Sequence, residues 1–224
     1  MRKTINFSVL TLIFCVLLGD ILYILDDTLL VKSLTSLSFV LIGLIGLLDA
    51  LLNNKTEQKK FCFIMFTGLV FAMMGDIVLE VNFIIGALLF AIGHIFYFVA
   101  YCKLEKFHLK DLIYGAVVFV PAALLILLAP FFEFPSQMLM WLCVIYAMII
   151  SCMMGKSVSN FVKNKCRLNL VLMMGSVLFL FSDLMLLFNV FSDISKVFRY
   201  LCLGTYYPAE ILLAISLFLT KKSN

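Results

Sequence analysis

Charge is scarce in this 224-residue chain, and that scarcity is its first constraint. Charged residues make up 13% and hydrophobic residues 64% of the sequence, with a mean hydropathy of +1.15. An ordinary soluble domain is about 45–50% apolar, so that class is excluded. Polar loops are also missing: no stretch between apolar runs exceeds about a dozen residues, which leaves no room for a soluble domain. The apolar runs are continuous and do not alternate with polar residues, so a β-barrel is excluded too. Only two histidines, His94 and His108, are present, too few for a three-His zinc site. The seven cysteines (15, 62, 102, 143, 152, 166, 202) contain no C-x-x-C pair and read as small apolar side chains within spans. Nothing demands a cofactor or metal, and the dispersed basic residues do not suggest nucleic acid.

What is present is a series of runs of about 20 apolar residues, the length that crosses a bilayer as a helix. Eight spans are expected, near 5–25, 31–52, 61–80, 83–102, 112–130, 136–155, 168–190 and 197–219. The first resembles a signal peptide in its basic start, but no A-x-A-like cleavage site follows, so it is read as an uncleaved helix. Of the 17 Lys and Arg residues, all but Lys32, Lys196 and Arg199 fall in the N-terminus, 53–60, 103–111, 156–167 and the C-terminus. By the positive-inside rule both termini are expected to be cytoplasmic. Trp141 reads as an aromatic-belt residue, and Asp49 as a flank of the basic loop after the second span. The compact form suggests a bacterial inner membrane; the terminal K-K-S-N instead resembles a dilysine retrieval signal of the endoplasmic reticulum.

Acids within these spans carry the functional signal, because an acid in a bilayer costs at least a few kcal/mol. Gly68–Leu79 reads GLVFAMMGDIVL and Gly175–Leu186 reads GSVLFLFSDLML. The offset that aligns Asp76 with Asp183 also aligns Gly68 with Gly175 and Asn82 with Asn189. That is an internal repeat. The fold class expected is all-α: a polytopic bundle of eight transmembrane helices forming one domain over 1–224. Its two parallel four-helix repeats would be about 1–110 and 111–224, related by an axis along the membrane normal. At about 1.5 Å per residue, Asp76 lies roughly 6 Å and Asp183 roughly 10 Å from the outer ends of their helices. The two are expected to face each other across one cavity. Asp20, Lys32, Glu80, Tyr206, Tyr207 and Glu210 fall toward the same layer, and His94 sits centrally in its span.

Two nearby carboxyls in a dry site divide their tasks, one protonated and one charged, as acid–base catalysis requires. A buried structural pair is the plainer reading. Lys32 either snorkels to the surface or serves as the counter-charge to one carboxylate or as a lipid-phosphate contact. Glu80 sits where a solvated charge is cheap. His94 either bridges helices or takes part in chemistry. Glu210 is too deep for a surface charge, and Pro208 loosens the backbone beside it. Greater depth favours a neutral Asp183, with Asp76 the charged partner near Lys32.

At these residues the sequence resembles the YhhN family of eight-helix membrane proteins, which includes the lysoplasmalogenases. The likeness rests on Lys32 in K-S-L, G-D at 75–76, G-H-I-x-Y at 93–97, S-D at 182–183 and T-Y-Y-x-A at 205–209. Two departures are Ser33 where the family usually has Pro, and Glu210 where it usually has Gln. The resemblance implies metal-free hydrolysis of the vinyl ether bond of a lysophospholipid substrate held within the bilayer. Catalysis would fall to Asp76 and Asp183, with Lys32, Glu80, His94, Tyr206, Tyr207 and Glu210 supporting. Two other classes remain open on the residues alone. A carrier or lipid-binding protein could use the same acids, although the third and seventh spans lack the Gly/Pro breaks of transporter helices. A metal-dependent lipid amidase or esterase is disfavoured by the histidine count.

Overall fold

The computed structural model describes residues 2–53 and 56–220, with side chains over 5–53 and 58–220. The described residues form eight α-helices: α1 (Arg2–Asp26), α2 (Leu29–Asn53), α3 (Thr56–Leu79), α4 (Phe83–Leu104), α5 (Asp111–Leu128), α6 (Gln137–Lys163), α7 (Arg167–Phe191) and α8 (Val197–Ser216). A 3-10 turn, Leu217–Thr220, extends α8. All eight are long and apolar enough to span a membrane, and the described residues contain no strand. The protein is an integral, multi-pass, all-helical membrane protein. Lys55, Lys221 and Lys222, which contribute to the charge asymmetry and the K-K-S-N ending, lie outside the described residues.

The joints are short and locally specified. Asn82 caps α4 by accepting a hydrogen bond from Ile85 N at 3.0 Å, so only Glu80–Asn82 separate α3 from α4. Ser136 does the same for α6, accepting from Leu139 N at 3.2 Å. Side-chain acceptors at these positions satisfy amides that the helix cannot. Asp27 turns the chain between α1 and α2 with φ 50°, a left-handed conformation that Asp tolerates better than most residues. Pro121 and Pro208 lie inside α5 and α8 without ending them.

Helix pairs α1/α2, α3/α4, α5/α6 and α7/α8 pack closely, α2 lies on α3, and α6 lies on α7. The halves are joined by α2 against α8 and by α4 against α6. Small residues set the closest approaches, as is common between membrane helices. A Cβ on Gly86 of α4 would stand 2.6 Å from Leu79 Cα of α3. The interior is filled by Phe39, Tyr97, Phe179, Tyr207 and their neighbours. Leucines and phenylalanines such as Phe7 and Leu25 point outward, as a hydrocarbon surround allows. Trp141 is also outward-facing.

One span differs from its sequence expectation for a clear physical reason. The apolar pattern ends at 155 and puts the basic residues from Lys156 in a loop, but α6 continues to Lys163. Lys156 is buried and donates to Asp111 Oδ2 at 2.7 Å, while Lys163 donates to Asp111 Oδ1 at 2.6 Å. Ser159 adds a third side-chain donor at 2.6 Å. The acid that opens α5 thus supplies the counter-charge that lets α6 carry its lysines inward.

Candidate functional site

Two carboxyls, each held by two other helices, define the site. Asp76 projects from α3 and is buried. Its Oδ2 accepts from Ser36 of α2 and from Tyr207 of α8 at 3.1 Å. Its Oδ1 lies 3.1 Å from Lys32 Nζ of α2. Asp183 projects from α7, where its Oδ2 accepts from Tyr146 of α6 at 2.6 Å and lies 3.3 Å from His94 Nε2 of α4. His94 and Tyr146 also meet each other at 2.9 Å. Each acid is therefore braced by the second helix of its own half and the fourth helix of the other.

The two braces differ in one decisive respect. Asp76 has an ammonium on it, and both its oxygens are engaged. Among the described residues Asp183 has no lysine or arginine partner, both of its contacts fall on Oδ2, and Oδ1 makes no hydrogen bond. Burial does not separate them as sequence depth suggested: the side chain of Asp76 is 5% exposed and that of Asp183 10%. The partners, not the depth, set them apart.

Asp76 and Asp183 line the same cavity, of about 550 Å³ including its open mouth, together with Lys32, Glu80, Arg199 and Tyr206. Lys32 is buried between Asp76 and Glu80, 2.5 Å from the latter, and lies over the Tyr23 ring. It does not snorkel. Glu80 also accepts from Tyr23 at 2.8 Å. Burial pushes the Glu80 carboxyl up, but the hydrogen bond and charge of Lys32, with the Tyr23 hydroxyl, outweigh it and hold the group below the usual glutamate range. Arg199 pairs with Asp27 at 2.5 Å, and its guanidinium lies 5.6 Å from the centroid of the Tyr23 ring.

Other sequence candidates lie behind this cavity. Tyr207 braces Asp76 and His94 braces Asp183, but neither forms the cavity wall. Tyr206 does, with its hydroxyl 3.5 Å from Ala72 O. Glu210 is separate: it is fully buried, accepts from Tyr97 at 3.0 Å through Oε2, and leaves Oε1 without a partner. Asp20 is buried near Asp76 with Oδ1 likewise unpaired. Asp49 sits at the far end of α2, accepting from Asn53 at 2.8 Å. His108 is solvent-exposed. All seven cysteines are free thiols. Among the described residues no three His, Cys, Asp or Glu side chains gather as a metal-ligand set.

Four contributors were missed by sequence reasoning: Ser36, Tyr146, Tyr23 and Arg199. Ser36 follows Lys32 by one helical turn, so their shared face was available as a signal. Tyr146 stands alone in an apolar run and gave none.

The YhhN family model matches residues 27–217. The chain belongs to the YhhN family. Neither the curated proteins nor the solved structures contain a match. The YhhN match begins after α1, although Tyr23 of α1 lines the cavity and bonds Glu80.

Proposed function

We propose that this YhhN-family protein is a lipid hydrolase that cleaves the vinyl ether bond of lysoplasmalogens, releasing a fatty aldehyde and a glycerophospho-base. The observation that carries this reading is the unequal pair on one cavity: Asp183 with a free Oδ1 and no ammonium, and Asp76 with its charge matched by Lys32. Vinyl ether hydrolysis needs a neutral acid and a fixed negative charge near a transient cation. A carboxyl pair with divided environments supplies both.

Asp183 is the proton donor. Its Oδ1 proton passes to the alkenyl carbon remote from the ether oxygen, and the double-bond electron pair becomes the new C–H bond. The carbon bonded to oxygen is left as an oxocarbenium ion. Water adds there and returns a proton to the Asp183 carboxylate, giving a hemiacetal. Cleavage of its carbon–oxygen bond yields the aldehyde and the glycerol hydroxyl, with one water consumed and no redox change. The Asp76–Lys32 pair gives the cavity a fixed carboxylate that opposes the developing positive charge, as preorganised groups do in a low-dielectric site. Tyr146 and His94 hold the Asp183 side chain in its working orientation.

With the basic loops on the cytoplasmic side, the cavity opens toward the opposite leaflet. The susceptible bond of a lysolipid lies just beneath its headgroup, the depth expected for both acids. Arg199 and Lys32 both line this cavity and supply the positive charge that a phosphate would meet.

The test is aldehyde release by purified protein in detergent from a vinyl ether lysophospholipid, beside its acyl and saturated ether analogues. Aldehyde from the vinyl ether alone is expected. Release of fatty acid from the acyl lipid, or no turnover of any lipid by folded protein, would overturn the reading.

A further inference from the structure

A second cavity, of about 760 Å³ including its open side, adjoins the first. Its walls come from α3 to α7 and are mostly aliphatic and aromatic, among them Ala87, Ala122, Ile126, Ala147 and Leu180, with Ser151, Tyr146 and Asp183 as the polar exceptions. The two cavities share Leu79, Phe90, Asp183 and Leu186. Asp183 is therefore the one carboxyl that faces both a polar chamber and an apolar crevice.

The helix arrangement leaves this crevice a way out to the lipid. Among the described residues α5 packs on α6 alone, and α4 packs on α3 and α6, with no close approach between α4 and α5. At the loop end, Phe83 of α4 meets Phe191 of α7 edge to face, and Phe132 packs in the same cluster. These rings close the top while the α4–α5 side stays open.

We infer that the crevice between α4, α5, α6 and α7 is the binding site for the hydrocarbon chain of a single-chain lipid, which enters between α4 and α5. This rests on the lysolipid reading above and adds where the chain lies. Its polar end occupies the Asp76–Lys32 chamber, and the first chain carbons pass Asp183 at the junction. Two features argue for that occupant. An apolar cavity continuous with a charged one matches a molecule with one tail and a polar head. A crevice of this size open to a bilayer is filled by alkyl chain in preference to water, because its walls offer water almost no partners.

The experiment uses a saturated ether lysophospholipid, which contains no vinyl ether to hydrolyse, with a diazirine on its chain. Protein in lipid nanodiscs is irradiated and the labelled peptides are mapped. Label is expected on α5 and α6 at residues such as Ala122 and Ala147, competed by unlabelled lysophospholipid. Ala122→Phe, at a half-buried position tolerant of bulk, should reduce it roughly tenfold, as expected where about two methylenes lose their burial. Ala147→Phe, on α6 in the cluster that Ala122 joins, provides a second occlusion. Label confined to lipid-facing positions such as Val117, uncompeted and unchanged by both substitutions, would overturn the inference. Labelling of the crevice in a protein that hydrolyses no vinyl ether would overturn the reaction proposed above while supporting the chain site.

Discussion

Lys32 Nζ lies 3.1 Å from Asp76 Oδ1, and neither side chain is more than 5% exposed. Among the described residues Asp76 has no other cation on it, so removal of Lys32 leaves a buried carboxylate uncompensated, whereas Lys32 would still have Glu80 at 2.5 Å. Lys32→Met should destabilise the protein by about 3–5 kcal/mol, read as a fall in thermal midpoint in detergent. Lys32→Met with Asp76→Asn should recover much of that loss, because the stranded charge is gone. A double variant no more stable than Lys32→Met would mean that the pair is not the source of the cost.

Tyr146 and His94 converge on the same oxygen of Asp183 and on each other. In the proposed reaction they position the acid. Tyr146→Phe removes one hydrogen bond to a carboxyl, worth about 1.5 kcal/mol, and should lower kcat roughly tenfold. KM should hardly change, while the pH–rate profile should move, since the group that loses its donor is the proposed acid. A rise in KM with an unchanged profile would place Tyr146 on the substrate instead.

Glu210 invites the opposite expectation. Its Oε2 has the Tyr97 hydroxyl, but its Oε1 is buried and unpaired among the described residues, and it does not line the cavity of Asp76 and Asp183. Glu210→Gln keeps an acceptor for Tyr97 and cannot ionise. Turnover should stay within about twofold and the thermal midpoint should hold or rise, because a group that ionises in a buried site bears a desolvation cost. Loss of turnover in folded Glu210→Gln would show that its proton or charge takes part in the chemistry.

At the other end of the bundle Asp111 gathers Lys156, Lys163 and Ser159. Asp111→Ala leaves the buried Lys156 ammonium without its carboxylate and should cost about 3–5 kcal/mol. Specific activity of the protein that remains folded should be unchanged. Thermal unfolding and single-turnover assays on the same preparation separate the two effects.

The legible part of this molecule was what repeats or runs long. Apolar runs gave eight helices because a span needs about 20 residues whatever its partners, and the G…D repeat picked out Asp76 and Asp183. The position of a residue along its helix fixed its layer but not its face. Glu210 was therefore grouped with the cavity acids although it sits behind them against Tyr97. Lys156 was read as loop because charge usually ends a span, and the acid that neutralises it, Asp111, lies on a different helix. Tyr146 was invisible for the same reason: a lone tyrosine in an apolar helix acquires meaning only when α6 brings it to α7.

The most direct test is to assay Asp183→Asn and Asp76→Asn together for aldehyde release from a vinyl ether lysophospholipid, with binding of the saturated ether analogue measured on the same preparations. Asp183→Asn should retain binding and thermal stability and lose turnover by a factor of about 1,000 or more, the scale of removing a principal proton donor. Asp76→Asn should also lose turnover, while Lys32 keeps its Glu80 partner at 2.5 Å and the protein stays folded. Aldehyde release at wild-type rate by Asp183→Asn would contradict the account at its centre.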